Sequence, residues 1–108
     1  MPYRPNKKMR DNATAALAHR KTLPPSKQFG TAVGLARARD IKNNVRLSKN
    51  TIQRMRSFLA RHRANYEKQA KLPLAQRGKA YWAYQLWGGA AAIAWANDKL
   101  KRYERAGE

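Results

Sequence analysis

The sequence predicts an all-α fold: a compact bundle of four to five short helices with no sheet. Three observations predict it. Alanine-rich stretches of good helix formers recur along the chain. Breakers at Pro24-Pro25, Asn43-Asn44, Pro73 and Gly88-Gly89 separate them at helix-sized intervals. Nothing alternates with period two over a useful length. At 108 residues the chain has room for one core, since domains commonly run to about 100–150 residues. Hydrophobic residues make up 43%, with three Trp, five Tyr and two Phe, too much apolar surface for a disordered basic tail. Residues 1–10 read as a basic N-terminal arm and residues 11–108 as a single helical domain.

The elements follow in order. A first helix is expected to begin near Asp11 or Asn12, both good caps, and to run to Lys21 before Pro24-Pro25 stops it. Ser26 to Gly30 reads as a loop. A second helix starts from Thr31 as cap and ends at Asn43-Asn44; Gly34 and Ala38, four apart, permit a close helix approach. Ser48 caps a third helix with a body from Ile52 to about Glu67, closed off by Lys71-Leu72-Pro73-Leu74. The region from Ala75 to Arg105 is helical by composition, and Gly88-Gly89 predicts two helices meeting at a break.

Charge is the dominant compositional feature. There are 24 Lys and Arg against 6 Asp and Glu, a net charge of +18. The excess is +6 over residues 1–30, +8 over 31–65 and +4 over 71–108, so it is built into the helices. Self-repulsion of this size opposes folding and points to a polyanionic partner: nucleic acid, an anionic membrane surface or an acidic protein. The N-terminal residues lack the apolar run of a signal sequence, and no stretch approaches about 18 uninterrupted apolar residues. A soluble, non-exported chain without membrane association is therefore expected.

The third helix concentrates this signal. At about 100° per residue, Ile52, Met55, Phe58, Leu59, His62 and Tyr66 share one arc, the expected core face, with His62 half-buried in it. Arg54 and Arg61 fall on the opposite side, and Lys49, Arg56 and Arg63 line one flank. No acid stands between Ser48 and Asn65, whereas an ordinary solvated helix face mixes signs for i,i+4 pairing. The second helix and the turn after it add Arg37, Arg39, Lys42 and Arg46, with Asp40 as the acid nearby, expected to pair with one of these bases or with Lys49 or Arg56. Arg4, Lys7, Lys8 and Arg10 make the arm an auxiliary contact. If helices two and three formed a helix-turn-helix, Lys49, Asn50, Gln53 and Arg54 would enter the groove. Tyr81, Trp82, Tyr84, Trp87 and Trp95 are expected to pack in the core around the glycine break; the alternative for them is base stacking.

Catalysis has little material. With no Cys and two His there is no thiolate nucleophile and no Cys-based zinc site, and no metal or cofactor is expected. The few acids are scattered without paired spacing, and neither glycine pattern matches a phosphate-binding loop. A non-enzymatic protein is expected.

The succession Val33-Gly-Leu-Ala-Arg-Ala-Arg39, Leu47-Ser-Lys-Asn-Thr-Ile-Gln-Arg-Met-Arg-Ser-Phe-Leu-Ala-Arg-His62, Leu86-Trp-Gly-Gly89 and Trp95-Ala96 resembles a small basic helical module recurring in tailed-phage and prophage head-morphogenesis proteins. The resemblance covers about residues 9–100. The module commonly has an acid after the two glycines, where Ala90 stands here, and an acidic stretch after the histidine, where Arg63-Ala64-Asn65 stand. Both departures make this chain more basic. The resemblance implies a phage-encoded protein in the infected host's cytoplasm or in the virion head. Charge and resemblance together lead to three expectations. The first is a nucleic-acid-binding protein that grips phosphates, DNA sooner than RNA. The second is a virion structural protein on an acidic capsid or portal surface. The third is a factor that binds a host protein.

Overall fold

The computed structural model describes residues 2–108, which form five α-helices: α1 (Lys7–Lys21), α2 (Ala32–Lys42), α3 (Lys49–Ala70), α4 (Lys79–Leu86) and α5 (Ala91–Arg105). Short 3-10 turns at Pro25–Lys27 and Leu74–Gln76 lie in the α1–α2 and α3–α4 connections. The described residues contain no sheet; Tyr3 and Leu47 form an isolated antiparallel bridge. The fold is the all-α bundle that the breakers predict.

Capping sets most boundaries. The Thr31 hydroxyl accepts from the Gly34 N–H, and Ser48 does the same for Thr51, so α2 and α3 start where the sequence places them. Asn44 closes the α2–α3 turn in the left-handed region, φ 58°, a conformation asparagine tolerates. The α4–α5 break is made by Gly88 (φ 100°) and Gly89 (φ 67°). A Cβ at Gly88 would lie 2.9 Å from the Ala92 Cβ, so the break is closed as well as bent.

The N-terminus differs from the expectation. α1 begins at Lys7, because the Asn6 side chain accepts from the Met9 N–H at 3.0 Å and caps the helix one turn earlier than Asp11. Met9 is fully buried and continues the stripe of Ala13 and Ala16. Residues 2–10 are therefore not a detached arm. Their second half is helix, and Tyr3 exchanges backbone bonds with Leu47 at 3.1 and 2.7 Å.

The core is one cluster fed by every helix. α1 packs on α2 and α4, and α3 packs on α4 and α5. Tyr81, Trp82, Tyr84, Trp87 and Trp95 are all buried, as core aromatics. On α3 the buried residues are Ile52, Met55 and Leu59, with Phe58 and Tyr66 partly buried: Phe58 stacks on Trp87 (4.5 Å) and Tyr66 on Tyr84 (4.2 Å). His62 departs from the arc. Trp87 and Tyr84 fill the space beside Phe58, and His62 is exposed with its ring resting on Phe58 at 4.5 Å. At the end of α3, Gln69 Oε1 accepts from the Gly78 and Tyr81 N–H groups, capping α4 from outside because Gly78 has no side chain to do so.

Candidate nucleic-acid interface

Burying Ile52, Met55 and Leu59 turns the opposite side of α3 outward. Gln53, Ser57, Ala60 and Ala64 are exposed there, with Arg54 and Arg61 exposed on one flank, not opposite the core as the helical projection places them, and Arg56 and Arg63 exposed on the other. No ion pair among the described residues involves Arg54, Arg56 or Arg61. Arg63 donates to Glu67 at 2.7 Å; that hydrogen bond, with the carboxylate charge, holds the guanidinium above its ordinary range. Residues seven apart stand about 10.5 Å apart along the axis, so each row spans about two turns and the two together about three.

Two furrows flank this face. One, of about 560 Å³, lies between α3 and α5 and is lined by Lys49, Gln53, Arg56, Ser57, Leu100 and Glu104, among others. The other, of about 390 Å³, is bounded by Arg54, Arg61 and Phe58 on α3 and by Val33 and Trp87 opposite. Gln53 and Ser57 line both, so they form the ridge between them. The α5 wall contributes Lys101, which lines a recess with Arg56, Asn97, Leu100 and Glu104. Sequence reasoning missed Lys101. The available signal was the spacing of Asn97, Lys101 and Glu104 beside the buried stripe of Trp95, Ala96, Leu100 and Tyr103.

The remaining basic candidates divide between surface and interior. Arg39, Lys42 and Arg46 are exposed on α2 and the turn after it. The Tyr3–Leu47 bridge is antiparallel, so Arg4 stands opposite Arg46, and the auxiliary base joins the turn. Lys8 is exposed, and Lys7 pairs with Asp11 at 3.1 Å. Three further candidates are engaged with other parts of the fold. Arg37 is only 14% exposed: it lies over the Trp87 ring at 5.9 Å and pairs with Asp40 at 3.4 Å, while its buried Nε finds no hydrogen-bond partner among the described residues. Arg10 donates to the Pro5 carbonyl at 2.8 Å and to Asn44 Oδ1 at 3.5 Å, pinning the N-terminal segment to the α2–α3 turn. Lys49 donates to the Glu108 carbonyl and sits 5.8 Å above the Tyr103 ring.

A helix-turn-helix packs its two helices against each other. Here α2 instead lies mainly against α1 and α4, and α3 against α4 and α5. The middle of α3, not its first turn, therefore carries the outward basic face. No family model matches the chain, and neither a curated protein nor a solved structure does.

Among the described residues no group of three or more His, Cys, Asp or Glu is placed to hold a metal ion, and no helix is long and apolar enough to cross a membrane. The two histidines lie against aromatic rings. His62 rests on Phe58, and His19 stacks on Trp82 at 4.0 Å within a trio completed by Phe29. That stack borders a cleft of about 320 Å³ walled by Leu23, Leu74 and Ala75, with Lys27 and Lys79 at its lip.

Proposed function

We propose that this chain is a non-catalytic, phage-encoded protein that binds nucleic acid through the phosphate backbone, within or beside the virion head. The observation that carries the reading is the outer side of α3: four exposed arginines flank it over three turns, three of them without an ion-pair partner among the described residues. Arginine suits this role because its planar fork bonds phosphate oxygens in pairs and never loses its charge. Arg39, Lys42, Arg46 and Arg4 extend the surface past the α2–α3 turn. Lys101 extends it onto α5. Arg37, Arg10 and Lys49 serve mainly to hold the helices and the N-terminal segment that carry it. The phage setting rests on the resemblance of the four ordered motifs.

Fluorescence anisotropy with labelled duplexes of unrelated sequence tests the binding. Comparable affinity for all of them is expected, and Arg54→Ala with Arg61→Ala should weaken every complex alike. Unchanged binding in that double variant would contradict the reading.

A second reading, a virion structural protein that docks on an acidic capsid or portal surface, is favoured by the cleft beside His19 and Trp82. There Leu74 is 59% exposed and the nearby lip is lysine. It predicts association with heads emptied of DNA. Mass spectrometry of purified particles with and without their DNA separates the two.

A further inference from the structure

Three features of α3 and its surroundings select the nucleic acid that fits this side of the molecule. The first is the angular placement of its arginines. At about 100° per residue, Arg56 and Arg63 lie roughly 160° around the helix from Arg54 and Arg61, so the two rows point to opposite sides. Each row borders its own furrow: the α5 side for Arg56, the Trp87 side for Arg54 and Arg61. A single strand running along one furrow would meet one row and leave the other unused. Two phosphate walls facing each other across a helix would meet both.

The second feature is the profile between the rows. Gln53, Ser57, Ala60 and Ala64 occupy it, all exposed and none charged. A helix with its side chains is about 10–12 Å across, and the major groove of B-form DNA is about 12 Å wide. A low, neutral crest lets the helix axis sink between the walls while the arginines reach sideways. Gln53, the longest of the four, is the crest residue able to pair with a base edge.

The third feature is what the surface lacks. Binding of single strands commonly relies on aromatic platforms for the bases. Among the described residues Tyr3, Phe58 and Tyr66 are half-buried, their rings already packed against Tyr103, Trp87 and Tyr84, and every other Phe, Tyr and Trp is buried in the core. Duplex RNA is excluded by a different dimension, because its major groove is too narrow and deep for a helix to enter.

Resting on the nucleic-acid reading, we infer that the partner is B-form duplex DNA and that α3 lies by its middle in the major groove. Arg54 and Arg61 meet one phosphate wall, and Arg56 and Arg63, joined by Lys101 from α5, meet the other. The flanking helices α2 and α5 then straddle the groove.

The full chain is titrated against one sequence in three forms: duplex DNA, duplex RNA and one DNA strand. Duplex DNA is expected to bind at least about tenfold more tightly than either competitor. Dimethyl sulfate then probes the complex, with protection expected at guanine N7 in the major groove. Ala64→Trp, which raises the crest, should cost about tenfold in duplex affinity, whereas Ala15→Trp on the exposed side of α1 should cost nothing. Equal or tighter binding of RNA or of the single strand overturns the inference and leaves the phosphate-binding reading standing. So does an N7 pattern unchanged by bound protein. Binding to none of the three forms would overturn both.

Discussion

The Tyr84 hydroxyl donates to the backbone carbonyl of Leu59 at 2.6 Å, joining α4 to the middle of α3 inside the core. This contact, with the Tyr66–Tyr84 and Phe58–Trp87 stacks, fixes how α3 is rotated about its own axis. The rotation decides which arginines reach solvent. Tyr84→Phe keeps the ring and removes the donor. It should cost about 1 kcal/mol, a fall in Tm of roughly 5 °C for a domain of this size. Thermal unfolding followed by circular dichroism checks it.

The same residue controls the alkaline limit of stability. Burial, outweighing the nearby Arg63 charge, pushes the Tyr84 phenol up to about 12. Burial likewise raises Tyr66 and Tyr103 above the ordinary tyrosine range. Below about pH 10 the phenol is protonated in both folded and unfolded chains, so its contribution is fully present there. As pH rises from about 10 to about 12, the unfolded chain loses its proton first, and the folded state loses stability accordingly. Denaturant unfolding across that range should show a declining midpoint in the native chain and a shallower decline in Tyr84→Phe.

The glycine break is equally exposed to test. Gly88 has φ 100° and approaches both Ala92 and Met9, so Gly88→Ala adds backbone strain and a steric overlap together. A loss of about 1–3 kcal/mol is expected, with helix content retained. Denaturant unfolding with equal slopes and a lowered midpoint would confirm it.

Arg37 and Arg61 carry the same charge in opposite settings, and their alanine variants should separate. Arg61→Ala should lower affinity for every duplex and reduce the salt slope by about 1, leaving Tm unchanged. Arg37→Ala should lower Tm, because the side chain is only 14% exposed and covers Trp87, and should leave the salt slope nearly as it was.

What the sequence reveals and what it hides follow from the range of the interactions involved. Thr31, Ser48 and Gly88-Gly89 act within a turn or two of themselves, and the structure places them as a local reading does. The α3 core arc is legible because its period is local. Its edge at His62 is not, since that depends on Trp87 and Tyr84 arriving from another helix. The N-terminal segment looks like a free basic arm, flanked as it is by Pro2 and Pro5. The Leu47 bridge and the Arg10–Asn44 contact that hold it reach across more than thirty residues. Arg37 reads as one more surface base until Trp87 is brought beneath it, and Lys101 joins the basic face only once α5 packs on α3.

The central claim is that shaped positive charge on α3 and its neighbours binds phosphates, and a salt titration tests it most directly. Affinity for unrelated DNA duplexes is measured by anisotropy across a series of salt concentrations. With six bases each neutralising a phosphate, log K against log salt should fall with a slope of about −5. Binding that is indifferent to salt, or absent even at low salt, would contradict the account.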